Sequence, residues 1–155
     1  MKYYLLALVI SQFAWLTPKA QEKPTPLTWQ DIPDWRYNRT NDATPSPDGK
    51  WLAYIPGPMQ GDLTLNLKST TNSQIYQYPV GGQNSPIVFN EHSSYLAFYK
   101  SADYKTIKGN QKTKKPSRRK LQLISLKDTA SSIFENVQKF DFANEHGGWI
   151  ALRFE

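Results

Sequence analysis

The chain has 155 residues, with 19 basic and 13 acidic side chains, a formal net charge of +6 and no cysteine. Disulfides and thiolate metal sites are therefore excluded. With only His92 and His146 as imidazoles, a zinc site would have to lean on carboxylates, so no metal and no cofactor is expected.

The first element predicted is not part of a fold. Lys2 supplies a positive charge, Leu5 to Leu16 is mostly apolar, and Thr17-Pro18-Lys19-Ala20 ends the run with a small residue. This is the outline of a secretory signal peptide, residues 1–20, cut after Ala20. The apolar stretch is shorter than the roughly 20 residues a membrane span needs. A secreted or periplasmic product follows, with no stable membrane anchor.

Residues 21–42 read as a leader. Gln21 to Leu27 is polar and proline-containing, and Trp29, Ile32 and Trp35 then place three large apolar groups at helical spacing. They predict a short docking segment that covers a sheet edge. Asn38-Arg39-Thr40 matches a glycosylation sequon, a tripeptide common by chance.

From Ala43 the pattern is β. Ser46-Pro47-Asp48-Gly49 is a hairpin turn, with proline presetting φ, aspartate bonding local backbone and glycine accepting positive φ. Lys50 to Ile55 alternates with apolar residues on both faces, as in a strand packed between two sheets, and Pro56-Gly57-Pro58 ends it. Leu63, Leu65 and Leu67 alternate with Thr64 and Asn66, Ser69 to Ser73 turns, and Ile75 to Val80 forms a further strand.

The order then recurs. Asn90-Glu91-His92-Ser93-Ser94-Tyr95-Leu96-Ala97-Phe98 and Asn144-Glu145-His146-Gly147-Gly148-Trp149-Ile150-Ala151-Leu152 repeat Ser46-Pro47-Asp48-Gly49-Lys50-Trp51-Leu52-Ala53-Tyr54. The aromatic positions lie 44 and then 54 residues apart, and the extra ten are assigned to the loop after Tyr99. Leu121, Leu123 and Leu126 are matched to the earlier leucine strand with one residue inserted, and Ile133-Phe134 to Ile75-Tyr76.

Repeats of this length predict an all-β chain: a partial β-propeller of about two and a half four-stranded antiparallel blades. The blades are placed at residues 43–83, 84–138 and 139–155. So short an array cannot close a ring. It is expected to be the N-terminal portion of something longer, and to self-associate through uncovered faces and edges.

Between Tyr104 and Lys120 lie Lys105, Lys108, Lys112, Lys114, Lys115, Arg118, Arg119 and Lys120 and no acid, so the rest of the cleaved chain nets −4. The segment reads as a solvated hairpin insertion, disordered by its own charge. A nucleic-acid partner is not expected, because Tyr104 is the one aromatic among these charges and single-strand binders interleave stacking residues. Contact with an anionic polymer or acidic peptide is the competing reading. Trp29, Trp35, Trp51 and Trp149 are assigned to blade packing over a sugar platform. Glu91-His92 and Glu145-His146 are assigned to exposed turns over a bridging metal.

Taken together, the secretion signal, the Trp-x-x-Ile-x-x-Trp leader, Ser-Pro-Asp-Gly-Lys-Trp-Leu-Ala-Tyr, Gly61-Asp62, the basic loop and Gly147-Gly148-Trp149-Ile150-Ala151 resemble a known group. It is the N-terminal propeller region of secreted bacterial serine peptidases of the prolyl oligopeptidase family. The resemblance runs from about Thr28 to Glu155. It implies a propeller that gates peptide substrates into an α/β-hydrolase domain absent from this chain. No Gly-x-Ser-x-Gly elbow occurs in the sequence, so no catalytic residue is assigned and the chain alone is expected to be inactive. The alternatives are a stand-alone periplasmic interaction module and an anion-binding protein acting through the basic loop.

Overall fold

A computed structural model describes residues 26, 28, 29, 31, 36–38, 43–58, 60–113, 119–143 and 148–154. The expected signal peptide and most of the leader lie outside the described residues. Among those described, no helix is long and apolar enough to cross a membrane.

The elements, in order, are β1 (Arg36–Asn38), β2 (Thr44–Pro45), β3 (Trp51–Tyr54), β4 (Pro56–Pro58), β5 (Leu63–Ser69), β6 (Ile75–Gly81), β7 (Ile87–Phe89) and β8 (Tyr95–Lys100). A helix α1 (Tyr104–Thr113) follows, then β9 (Lys120–Ser125), β10 (Ser131–Phe134), β11 (Val137–Phe142) and β12 (Ile150–Phe154). The first sheet has the order β2-β3-β5-β6, the second β7-β8-β9-β10, and the third is the pair β11-β12. All pairings are antiparallel. The described chain is thus mostly β, and neither four-stranded sheet closes on itself.

Alternation decides which face of each sheet is buried. In β5, Leu63, Leu65 and Leu67 are buried while Thr64 and Asn66 are half-buried. Those leucines, with Ala53 and Ile55, meet Leu96, Phe98, Ile124 and Leu126 of the second sheet in one core. The other face of the second sheet presents Ala97, Tyr99 and Leu121 to Val137, Phe140, Phe142, Ile150 and Leu152 of the third. The middle sheet is therefore covered on both faces, which is why Leu96 to Tyr99 is a continuous buried run. Each fully buried leucine or isoleucine contributes about 1.5–3 kcal/mol.

The repeat is real at the level of hydrogen bonds. Thr44 pairs with Ala53, Val88 with Ala97 and Asp141 with Ala151, so the three alanines occupy one register position. Ser46 N donates to Trp51 O, Asn90 N to Tyr95 O and Ala143 N to Trp149 O, closing the same hairpin three times. Beyond it, Thr70 N reaches Lys50 O as Leu126 N reaches Ser94 O, and Ser69 N reaches Gln74 O as Ser125 N reaches Ala130 O.

This register corrects the sequence alignment. Ala53 pairs with Leu67 and Ala97 with Leu123, so Leu65 and Leu67 correspond to Leu121 and Leu123, and Leu126 to Thr70. Across the next ladder, Tyr76 faces Leu67 and Ser132 faces Leu123. Ile133-Phe134 therefore corresponds to Gln77-Tyr78, two residues from the expected match. A two-residue slip leaves every side chain on the same face, so alternation could not reveal it. The extra ten residues are also a net figure. Phe98 to Leu121 spans twelve residues more than Tyr54 to Leu65, the approach to the third hairpin is three shorter, and its turn is one longer.

Two further expectations change. Pro56-Gly57-Pro58 does not simply end a strand: it pairs with Arg36–Asn38, so the end of the leader forms a two-stranded ladder with it; Ile32 and Trp35 of the expected docking segment lie outside the described residues. The basic loop is not a disordered hairpin insertion over its first half, because Tyr104–Thr113 is helix. Residues 114–118 lie outside the described residues.

Candidate functional site: the basic helix and its seat

Local sequence starts helix α1. Asp103 Oδ1 accepts the Thr106 amide at 2.7 Å and Oδ2 the Thr106 hydroxyl at 2.8 Å, while Ile107 N donates to Asp103 O at 3.0 Å. Asp103 is thus an N-cap. The Thr106 amide, and then its hydroxyl, hold the Asp103 carboxyl below the usual aspartate range.

Distant residues fix where the helix sits. The Tyr104 amide donates to Asp62 Oδ1 at 2.7 Å, across 42 residues of sequence. Ser101 N donates to Val80 O at 2.8 Å and Gly82 N to Ala102 O at 2.9 Å, so the approach to the helix runs along the end of β6. The contact is close enough to require glycine. A Cβ on Gly82 would lie 2.6 Å from Tyr104 N, and one on Gly81 2.6 Å from Ala102 O. Gly81 also has φ +94, which favours glycine. Ile107, 6% exposed, anchors the helix by its apolar side.

That seating presents charge outward. Lys105, Lys108 and Lys112 are exposed and follow i, i+3, i+7 spacing, which is one helical stripe about 10 Å long. Lys108 Nζ lies 5.6 Å from the Tyr104 ring centroid. Arg119 lies 4.5 Å over the Tyr99 ring, and Lys120 Nζ is 2.8 Å from Glu135 Oε1. Lys114, Lys115 and Arg118 lie outside the described residues. An array of this kind attracts polyanions and is weakened by salt.

The repeated turns are the second constellation, and they are built for structure. Ser46 Oγ accepts the Trp51 amide at 3.0 Å and donates to Asp48 Oδ1 at 2.7 Å, and Asp48 Oδ1 also accepts the Lys50 amide. In the second copy Asn90 Oδ1 does both jobs, accepting Ser94 N and Tyr95 N at 2.8 Å each. Gly49 and Ser93 share the left-handed position, with φ 70 and 51. The two turns touch, since Asp48 N donates to Ser93 Oγ at 2.9 Å. The Ser46 hydroxyl, more than any other group, holds the Asp48 carboxyl below its ordinary range; the Lys50 amide and cation act the same way.

Glu91 and His92 are exposed on that turn, and His92 O accepts the Ser94 hydroxyl at 3.4 Å. Glu145 and His146 lie outside the described residues, as do Trp35, Arg39 and Thr40. Of the tryptophans, Trp51 packs in the first core, while Trp29 and Trp149 are each 76% exposed. Packing between sheets thus holds for Trp51, whereas Trp29 and Trp149 are not covered by any of the described residues. Among the described residues no three His, Asp or Glu side chains converge on a metal position.

Sequence reading missed the helix and its seat. The signal was Asp103-x-x-Thr106 ahead of Ile107, together with the Gly81-Gly82 pair. Compared with known proteins, the chain matches no family model, no curated protein and no solved structure.

Proposed function

We propose that this chain is the non-catalytic N-terminal part of a β-propeller belonging to a secreted serine peptidase that resembles the prolyl oligopeptidase family. Its sheets act as blades, and the whole propeller admits peptides to a hydrolase domain that this chain does not carry. The observation that supports the reading is the hairpin register shared by Ala53, Ala97 and Ala151, with the middle sheet packed on both faces. Stacked, near-identical antiparallel sheets are how propeller blades are built. Residues 1–20 direct secretion, and peptides are the partners of the whole protein.

The test is to isolate the native product with an antibody against residues 43–113. A product several times longer than 155 residues that reacts with a fluorophosphonate serine probe is expected. A native product of the chain's own length, inert to the probe, overturns the reading.

A second reading rests on the seated stripe of Lys105, Lys108 and Lys112: an anion-binding surface. It requires that charge reversal at all three lysines abolish salt-sensitive binding to polyglutamate. Unchanged binding overturns it.

A further inference from the structure

Two hairpin turns face each other across the first inter-sheet seam. The turn closed by Ser69 N and Gln74 O joins β5 to β6, and the turn closed by Ser125 N and Ala130 O joins β9 to β10. Between them lies a cleft of about 380 Å³. Its apolar lining is Trp51, Tyr76 and Leu126, and the rest is hydroxyl, amide or charged side chains, Asn72, Gln74 and Asp128 among them. A second cleft of about 370 Å³ adjoins it and shares Trp51, Leu126 and Lys127. There Tyr95 takes the part of Tyr76 and Asp48 that of Asp128, while Ser93, Ser94 and Ser125 supply hydroxyls. Each cleft thus combines two rings, one carboxylate and several hydroxyls, and the two make one groove with two lobes.

We propose that this groove binds a neutral glycan, with one pyranose ring to each lobe. A pyranose has an apolar C–H face and a rim of hydroxyls that both donate and accept. It calls for aromatic surface beneath it and for donors and acceptors around it. Trp51, Tyr76 and Tyr95 are each half-buried, so ring surface remains for a ligand. The Trp51 and Tyr76 centroids are 6.0 Å apart, with their planes inclined at 52°. The negative face of such rings attracts polarised C–H groups.

The rim is held in place by its own hydrogen bonds. Asn72 Nδ2 and the Tyr76 hydroxyl both donate to Gln74 Oε1 at 3.2 Å, and Gln74 N donates to Asn72 Oδ1 at 2.9 Å. Both amides are thereby oriented, each with an N–H left to give. On the opposite turn Asp128 Oδ1 accepts Ala130 N at 3.2 Å, and the Tyr78 hydroxyl pins Thr129 O. The Ser125 hydroxyl, and then the Ala130 amide, hold the Asp128 carboxyl below its ordinary range, as the Ser46 hydroxyl does for Asp48. Both are therefore ionised acceptors at neutral pH. That suits binding of sugar hydroxyls and not glycosidic cleavage, in which one carboxyl must carry a proton.

Charge and polarity argue against other occupants. Lys50 and Lys127 are balanced by Asp48 and Asp128, and Lys50 Nζ lies 3.5 Å from Asp48 Oδ2. A groove so balanced favours no polyanion, and its polar lining disfavours a lipid or apolar peptide, which would leave those groups without hydrogen bonds. Both lobes fall within the roughly 300–1,000 Å³ typical of small-ligand sites. The inference is independent of the peptidase reading and of the lysine stripe on α1.

The test titrates the full chain with methyl β-glucopyranoside and, separately, with cellobiose, following backbone, side-chain amide and indole NMR signals. Saturable shifts at Trp51, Asn72, Gln74, Tyr95 and Asp128 are expected, with cellobiose bound more tightly because it reaches both lobes. Added salt should leave the affinity unchanged, since the ligand is neutral. Asn72→Ala and Asp128→Asn, both on exposed turns, should each weaken binding roughly fivefold, the loss of about one hydrogen bond. Lys108→Ala on the helix should not alter it. Non-saturating shifts, shifts elsewhere, cellobiose no tighter than the glucoside, loss of binding in salt, or binding unchanged in both turn variants overturn the proposal. The wild-type shift map decides the matter even if a variant does not fold.

Discussion

The Tyr104 amide donates to Asp62 Oδ1 at 2.7 Å, so a helix inserted in the second sheet is capped from a connection in the first. Asp62 precedes β5 and Tyr104 follows β8, and their bond ties the two sheets together at the edge of the shared core.

Removing that cap should loosen the helix without dissolving the sheets. Asp62→Ala is expected to cost about 1 kcal/mol, the usual loss for a helix cap. Amide exchange at Tyr104 to Ile107 should accelerate, while Leu65 and Leu121 stay protected. Asp62→Asn, which keeps an acceptor oxygen, should retain most of the protection. Hydrogen exchange with urea unfolding measures both.

Gly82→Ala should do more damage than Asp62→Ala. The added methyl would meet backbone at Tyr104, which cannot rotate aside as a side chain could. Overpacking of this kind costs about 1–3 kcal/mol. Gly49→Ala meets no atom within 4 Å, yet it strains a φ of +70 and should cost less. Urea midpoints of the two variants give the order.

Acid should weaken the first turn. The folded state holds the Asp48 carboxyl below the value of about 3.9 for an unfolded aspartate. Its stabilisation is therefore complete above that value and drains away as pH falls through the folded value. Asp48→Asn keeps an acceptor for Ser46 and Lys50 but cannot titrate. The variant should show a shallower fall in melting temperature between pH 5 and pH 2 than the wild type. Asp103 and Asp128, also held low by hydrogen bonds, will keep the remaining slope.

Thr129 carries strain that can be relieved. It is β-branched and has φ 60, a left-handed conformation that costs an L residue roughly 1–2 kcal/mol. Its carbonyl accepts the Tyr78 hydroxyl at 3.2 Å, a bond that does not depend on the side chain. Thr129→Gly loses the hydroxyl bond to Asp128 O and should still stabilise the chain by a few tenths of a kcal/mol up to about 1. A rise in melting temperature with unchanged Tyr78 environment checks this.

Much of the sheet structure was legible because hairpins are local. Ser46-Pro47-Asp48-Gly49 and Asn90-Glu91-His92-Ser93 predicted turns, and both are closed by i to i+3 hydrogen bonds, from Gly49 N to Ser46 O and from Ser93 N to Asn90 O. Leu63, Leu65 and Leu67 predicted the buried face of β5 through their spacing alone. The outer ladders were misaligned by two residues, because Ile75-Tyr76 and Ile133-Phe134 look alike while the partner residues Leu67 and Leu123 decide the match.

The seat of the helix was not legible for a related reason. Lys105, Lys108 and Lys112 argue locally for a repelling, solvated segment. What favours the helix comes partly from Asp62, Gly81 and Gly82, which are distant in sequence.

The sequence by itself determined the alternation of the strands, the turn positions and the three hairpin copies, since each follows from side-chain period and from backbone preferences within a few residues. Only the tertiary structure decided the register of the outer strands and the folding of the basic segment on Gly81 and Gly82. Those outcomes depend on contacts between sheets. Packing energy there is set by the shape of residues far apart in the chain, which local pattern does not carry.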